Sequence, residues 1–348
     1  MRTADLDFHL PPQLIAQEPA AQRPDARMLH YRRTTGEIAH RHVRDLPHIL
    51  TPRDLLLFNG TSVIPAKFTV RKPTGGLVEG LWLETEPHWP FLRGRVLLKG
   101  LGSFTPGFEM AFDADPTARI QLLHKPHSED GYIVQASEDF NRLIRRVGRM
   151  PLPPYIKRAK GSDGRDAADR ERYQTVLRDG GSSVAAPTAG LHFDQPLLDK
   201  LESLGIEYDC INLEVGMGTF KPVTAADLDE HDMHRECWGI GEYGASNINE
   251  HKRTGGRLIA VGTTVVRTLE SQPPGDLVPG IGETDLLIQP PYEFKHVDAL
   301  LTNFHLPKST LIALVDAFIG TDERRRLYDE AIREQYRFFS YGDCMLIE

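Results

Sequence analysis

Five short apolar runs between Val70 and Ala136 constrain this chain more than any other feature: GLVEGLWLE, RVLLKG, FEMAF, ARIQLL and YIVQA. Each is too short for an ordinary helix, and breaks rich in Gly, Pro, Asp and His separate them, so the segment predicts short strands folding back on one another. A compact all-β module, closed as a barrel, buries such strands without leaving free edges. From Pro151 the pattern changes. Strand candidates at Ile206 to Val215, Arg257 to Val261 and Val297 to Leu301 alternate with amphipathic helices beginning near Asp194, Thr263 and Ser309. Such alternation predicts an α/β domain. Upstream, Leu55 to Phe58 reads as a strand, followed by a tight turn at Asn59-Gly60-Thr61-Ser62 and a second strand through Val63 and Ile64. Gln272 to Gly282 reads as a Pro/Gly-rich surface loop.

With 348 residues, 40% hydrophobic and 26% charged, the chain can bury a sizeable core. Its net charge of −8 gives no general attraction to a polyanion, so a nucleic-acid partner needs a local basic patch. Arg142 to Arg172 supplies one: ten Lys and Arg against four Asp and Glu leave +6. With Tyr155 available for stacking, this stretch reads either as an RNA-backbone contact or as a solvated linker. Cys210, Cys237 and Cys344 are odd in number and form no CxxC pair, which argues against a disulfide framework and for a reducing compartment. The N-terminal MRTADLDFHLPPQ lacks the apolar segment of a signal peptide, and no run approaches the roughly 18 residues that span a bilayer. The expectation is a soluble, cytoplasmic protein with no membrane partner.

Three glycine-punctuated loops carry the candidate chemistry. In Ser183 to Phe193, SVAAPTAGLHF, Val184 to Ala186 suit a buried strand, Pro187 ends its ladder, and Gly190 lets the main chain turn or approach a ligand. Asp194 is the expected N-cap of a helix with Leu197, Leu198, Leu201 and Leu204 on one face, which leaves Thr188 and His192 in a strand-to-helix loop. In LEVGMGTFKPV, from Leu213, Gly216 and Gly218 precede Thr219 and Phe220, an arrangement suited to a flat or anionic ligand. In VGTTVVRTLES, from Val261, Thr263 and Thr264 open a helix whose free N–H groups favour an anion. Turn and capping chemistry is the plainer reading of the last two loops alone, and the first reads equally as a tight turn whose histidine satisfies the core. Neither of the last two has the spacing of a Walker A or dinucleotide fingerprint.

His305 sits in TNFHLPKST, from Thr302, between a strand and a helix capped by Ser309. Its loop setting favours a functional role. His231, His234 and Cys237 have the three-residue spacing of a metal-binding helix face, but no second ligand pair accompanies them, and no metal is expected. No GxSxG elbow is present, which removes support for an α/β serine hydrolase.

Taken together, these blocks resemble the S-adenosylmethionine:tRNA ribosyltransferase-isomerase (QueA) family of queuosine biosynthesis. The similarity runs through ADLDFHLPPQLIAQEP, LLLFNGTSVIPAK, PLPPYIKR, ERYQTV, SVAAPTAGLHF, VGMGTF, the segment from His231, AVGTTVVRTLES, TNFHLPKST and the terminal YRFFSYGD. It implies an α/β core domain with a mixed sheet/barrel, residues 1-68 and 151-348, interrupted by a smaller all-β barrel domain, residues 69-150. It also implies a reaction. The ribosyl part of S-adenosylmethionine, consumed as a co-substrate, is transferred and isomerised onto 7-aminomethyl-7-deazaguanine at the tRNA wobble position, giving epoxyqueuosine, adenine and methionine. The expected partners are tRNA and S-adenosylmethionine, and the expected state is a monomer.

By the same resemblance, Thr188, Gly190, His192, Gly216, Gly218, Thr219 and Phe220 surround the nucleoside and reacting ribose. Thr263, Thr264 and Arg267 address the methionine end, and His305, Lys308 and Ser309 complete the site, with His192, His305 and Thr188 as the catalytic candidates. The chain departs from the family's usual pattern at Gly60, Ser62, Lys67, Glu214, Val265, Gln289 and Pro291. A relative acting on another nucleoside acceptor, or a non-catalytic tRNA-binding paralogue, is the alternative those departures leave open.

Overall fold

The computed structural model describes residues 1–85, 92–125, 131–158, 164–178, 180–216 and 223–348. Two compact units emerge. One comprises Met1–Ser62, Pro154–Lys157 and Gln174–Glu348, and the other Val63–Pro153 and Arg158–Tyr173. Residues 63–68, 151–153 and 158–173, expected with the α/β core, thus group with the barrel. Backbone pairing of Lys67 with Arg149 and the ion pairs Arg149–Asp166 and Arg158–Asp169 tie those residues together.

The first unit is built on a nine-stranded mixed sheet. Its strands, numbered in chain order, are Arg27–Arg32 (β1), Glu37–His42 (β2), Asp54–Asn59 (β3), Glu207–Leu213 (β10), Glu236–Ile240 (β11), Arg257–Val261 (β12), Gly280–Thr284 (β13), Ala299–Asn303 (β14) and Cys344–Ile347 (β15). They lie in the order β13-β11-β10-β3-β12-β14-β15-β1-β2, with β10, β3, β12 and β14 parallel at the centre. Period-two alternation sends Leu55 and Leu57 to one face and Leu56 and Phe58 to the other, and both faces are covered. Helices Glu242–Arg253 (α4), Thr263–Glu270 (α5), Thr310–Ile319 (α6) and Thr321–Arg333 (α7) pack one face, and Gln195–Ser203 (α3) the other. Burial on both faces explains why β3, β12 and β14 read as continuous apolar runs.

Some local expectations change. Val184 to Ala186 are buried but form no strand, because only Ser183 finds a bridge partner. Val63 forms only an isolated bridge and Ile64 lies in irregular chain before the next strand at Lys67. The surface-loop candidate from Gln272 ends in the edge strand β13. Asp194 does cap α3, accepting from the Leu197 N–H at 3.0 Å, but Leu204 lies past the helix end and is exposed.

The second unit holds a closed barrel of Lys67–Arg71 (β4), Leu77–Thr85 (β5), Arg93–Lys99 (β6), Glu109–Phe112 (β7), Arg119–His124 (β8) and Tyr132–Ala136 (β9). Every pairing is antiparallel, and β4 with β7 closes the ring. Phe68 and Phe112 fill the interior, where Phe140 of helix Phe140–Val147 (α1) meets Phe68. A short helix, Asp166–Arg172 (α2), completes the unit. Among the described residues, no helix is long and apolar enough to cross a membrane.

Candidate active site

Parallel strands deliver their following loops to one edge of a sheet, where α/β proteins hold ligands. Here β12 and β14 are in register, with Val261 opposite Leu301, so Gly262-Thr263-Thr264 and Thr302 to His305 leave the sheet side by side. The Gly262 N–H donates to the Leu301 carbonyl at 2.8 Å. At φ +105, Gly262 takes a backbone conformation that strains other residues, and it turns the chain into α5. Antiparallel pairing of β15 with β14 brings Phe339 and Ser340 to the same edge.

These segments line a cleft enclosing about 740 Å3, open mouth included. Thr188, Thr263, Thr264, His305 and Ser309, all expected site residues, meet there. Among the described residues no charged side chain lines it. Phe339 holds a left-handed φ of +74, fixed by its N–H donating to the Phe304 carbonyl and by its own carbonyl accepting from Asn303 Nδ2. A non-glycine residue in that region costs of order 1 kcal/mol or more, and such strain gathers at functional sites. The Phe339 ring packs on Tyr155 with centroids 4.6 Å apart. Tyr155 shares a 2.5 Å hydrogen bond with Ser340, and burial raises its phenol to about 12.

His305 is the only histidine on the cleft wall among the described residues. Its main-chain N–H donates to the Tyr328 hydroxyl, and Nε2 lies 3.0 Å from Thr302 Oγ1. Nδ1 makes no hydrogen bond among the described residues. Burial pushes the imidazole down to about 3, so the ring is neutral at pH 7 and either accepts or donates one proton according to tautomer.

His192 is not brought to the cleft wall. It is 4% exposed, and its Nε2 is fully buried without a hydrogen-bond partner. Asn303, which does line the cleft, lies within interaction range, yet its Oδ1 is also buried and unpaired. Burial lowers His192 to about 4, opposed by Asp343 and reinforced by Arg337. Gly190 packs against Thr175 rather than lining the cleft: a Cβ there would meet Thr175 Cγ2 at 2.9 Å. Gly216 precedes a segment outside the described residues, and Gly218, Thr219 and Phe220 lie within that segment.

Two expected cations are held elsewhere. Lys308 forms an ion pair with Asp7 at 2.9 Å and does not line the cleft. Arg267, one turn beyond Thr263 on α5, faces a neighbouring cavity and pairs with Glu236 in a buried, short contact. Ser309 lines the cleft, but its hydroxyl donates to the Leu306 carbonyl instead of capping α6.

The model of a family described as queuosine biosynthesis protein matches residues 3–347. The chain belongs to the queuosine biosynthesis protein family. Among its relatives, an S-adenosylmethionine:tRNA ribosyltransferase-isomerase of Stenotrophomonas maltophilia is 43% identical, covering 100% of this chain and 98% of the relative. One of the same name from Geotalea uraniireducens is 44% identical over all of both chains. A crystal structure of the S-adenosylmethionine tRNA ribosyltransferase from Thermotoga maritima aligns with a TM-score of 0.55 at 32% identity, covering 99% of this chain and 100% of that one.

None of this family member's departures at Gly60, Ser62, Lys67, Glu214, Val265, Gln289 or Pro291 lines the cleft among the described residues. Val265 instead packs in the core, and Gln289 Nε2 donates to Asp229. Sequence reasoning missed Thr302, Asn303, Phe339 and Ser340 as cleft residues and gave Tyr155 another role, although all lie in or beside the motif blocks PLPPYIKR, TNFHLPKST and YRFFSYGD. The histidine pair His231 and His234 opens on the Arg267 cavity, while Cys237, one residue beyond the buried Glu236 on β11, lines a different groove. Residues 231–235 are not helical, so the expected helix face does not form, and no metal-binding group is found among the described residues.

The basic stretch is more neutral than its sequence. Arg146 bridges Asp115 and Glu138, Arg149 pairs with Asp166, Arg158 with Asp169, and Arg170 donates to the carbonyls of Arg145 and Gly148. Arg142 and Arg145, exposed on α1, have no ion pair among the described residues. Lys160 and Asp163 lie outside them.

Proposed function

We infer that this protein is an S-adenosylmethionine:tRNA ribosyltransferase-isomerase of queuosine biosynthesis. What supports the reading is one conjunction: relatives of that name match end to end, and the loops from Pro187, Gly262 and Thr302 meet on a single cleft. In this reading the nucleoside part of S-adenosylmethionine occupies the cleft among Thr188, Thr263, Thr264 and Ser309. The acceptor is 7-aminomethyl-7-deazaguanine at the wobble position of tRNA, in the cytoplasm, and the enzyme acts as a monomer without a metal.

The sulfonium acidifies the neighbouring C5′ hydrogens, so the reaction needs a positioned base, a proton donor for departing adenine and an aligned aminomethyl nucleophile. His305 is the best-placed proton carrier because it lies on the cleft and is neutral before substrate arrives. His192 acts behind it, through Asn303, as a positioning residue. The phosphates of tRNA meet Arg142 and Arg145 on α1. Incubating the protein with tRNA carrying the precursor base should shift the tRNA mass only when S-adenosylmethionine is present, with equimolar adenine and methionine released. No shift, or a shift without adenine, would reject the reading.

A further inference from the structure

Tyr155 brings an aromatic ring to the cleft lining, and the proposed function leaves it without a task. It is fixed at three points. Gln17 Nε2 donates to its carbonyl at 2.9 Å while Gln17 Oε1 accepts from the Lys157 N–H at 2.8 Å, so one amide side chain clamps the backbone on both sides of the buried Ile156. Ser340 holds the hydroxyl, and the Phe339 ring packs on the phenol ring. Phe339 and Ser340 are themselves set by a tight turn: the Gly342 N–H donates to the Phe339 carbonyl at 2.9 Å, and the buried Asp343 accepts from the Arg337 N–H at 2.8 Å. The left-handed φ of Phe339, which costs stability, falls where the two rings meet on the cleft.

Two parts of the lining differ in chemistry. Thr263, Thr264 and Ser309, at the starts of α5 and α6, offer hydroxyls, and the reading above gives them to the donor nucleoside. Tyr155 and Phe339 offer ring carbon, which takes the flat face of any base. A base that carries a phosphate chain also needs an entry free of carboxylates. No charged side chain lines the cleft among the described residues, and the exposed Lys157 follows Tyr155 by two residues. S-adenosylmethionine has no phosphate, so a cation beside the aromatic wall suits the RNA acceptor and not the donor. Unstacked RNA bases are received by stacking on aromatic side chains, with cations along the backbone.

We propose that Tyr155, backed by Phe339, is the stacking platform for the acceptor base of tRNA, turned out of the anticodon loop into the cleft, with Lys157 against an adjoining phosphate. The proposal rests on the functional reading above. It gives each substrate its own part of one cleft. Tyr155 is then a positioning residue: it moves no proton, and it fixes the plane of the base that carries the aminomethyl nucleophile. Because ring, hydroxyl and backbone are already held, the base binds with little further ordering of the protein.

The test is Tyr155→Leu, which keeps bulk and removes the aromatic face, beside Tyr155→Phe, which keeps the face and loses the hydrogen bond to Ser340. Tyr155→Leu should raise KM for tRNA carrying the precursor base by about 5- to 150-fold, the worth of one base stacked on an aromatic ring, and leave KM for S-adenosylmethionine within about twofold. Tyr155→Phe should stay within about threefold of wild type in both. The log K against log salt slope for tRNA should be the same in all three proteins, because stacking neutralises no phosphate. An unchanged KM for tRNA in a folded Tyr155→Leu variant would overturn the proposal. So would a KM for S-adenosylmethionine that rises as far as that for tRNA, because the ring would then serve the donor or the cleft as a whole. If Tyr155→Leu does not fold, ultraviolet cross-linking of the wild-type protein to the same tRNA decides: the wobble nucleotide should be found on the peptide containing Tyr155, and its recovery only on other peptides would overturn the proposal. Absence of wild-type turnover, by contrast, rejects the functional reading.

Discussion

Around the cleft, several buried polar atoms are left without partners, whereas on the barrel unit several arginines are held in ion pairs. Thr264 Oγ1, Asn303 Oδ1 and His192 Nε2 are buried and unpaired, and Gly262 and Phe339 hold left-handed backbone. In the barrel unit Arg71 pairs with Asp113, Arg95 with Glu84, and Arg146 with two carboxylates. The contrast separates what a ligand must complete from what the fold completes for itself. An unpaired buried polar group costs about 1–3 kcal/mol, so a site that keeps several is less stable than it could be until something binds. Exposed ion pairs contribute about 0–1 kcal/mol each and bind nothing new.

The strongest way to break this contrast is to remove His305. We expect His305→Ala to lose about 100- to 10,000-fold in turnover, the usual contribution of a positioned proton carrier, with its circular dichroism spectrum kept. Wild-type turnover in that variant would move the chemistry off these loops. The barrel should respond in the opposite sense. Phe68→Ala removes a fully buried ring packed on Phe112 and Phe140 and should cost about 3–5 kcal/mol in urea unfolding. Calorimetry should show S-adenosylmethionine binding to the folded fraction unchanged.

A smaller effect follows from the two buried histidines. Their folded pKa values, about 4 for His192 and about 3 for His305, lie below the unfolded value near 6.5. Between those limits the unfolded chain binds protons that the folded chain refuses. Stability is therefore complete above about pH 6.5 and lost as pH falls, by up to roughly 1.4 kcal/mol per unit for each ring. His305→Asn should remove about half of this slope in denaturation measured from pH 7 to 5, and an unchanged slope would mean the ring is not buried neutral. The smallest effect tests two cations of the barrel unit, on α1, that have no ion pair among the described residues. Replacing Arg142 and Arg145 by Gln should reduce the log K against log salt slope for tRNA by roughly 1.4 to 1.8. Arg146→Gln should change it little, because that charge is already spent on Asp115 and Glu138. The reverse ranking would place RNA on the bridged arginine.

Legibility in the sequence follows the same division. β3, β12, the start of α5 and the Asp194 cap were readable because their signals are local: apolar runs, a glycine turn, a side chain three residues from its partner. The convergence of Thr188, Thr263, His305 and Ser309 was readable only through the ordered motif blocks. The pairing of Arg267 with Glu236, 31 residues apart, has no local signature, so Arg267 was placed with Thr263 and Thr264. Nor has Phe339, whose backbone conformation is imposed by Phe304 and Asn303 against its own preference. Val184 to Ala186 looked like a strand because burial and strand propensity select the same residues, and only a ladder partner distinguishes them.

The adjacency of β3 and β10 at the middle of the sheet has a kinetic consequence. Asn59 reaches the main chain of Leu213 across 154 residues, with the whole barrel sequence in between. Loop-closure entropy grows only logarithmically, by about 0.6 kcal/mol for each doubling of length, so so long a separation weakens the finished sheet very little. Rate is more sensitive: pairings distant in sequence form late. The barrel, whose strands pair mostly with near neighbours, can acquire its shape while the central sheet is still open, and the cleft at the ends of β12 and β14 comes into being only with the last long-range pairings.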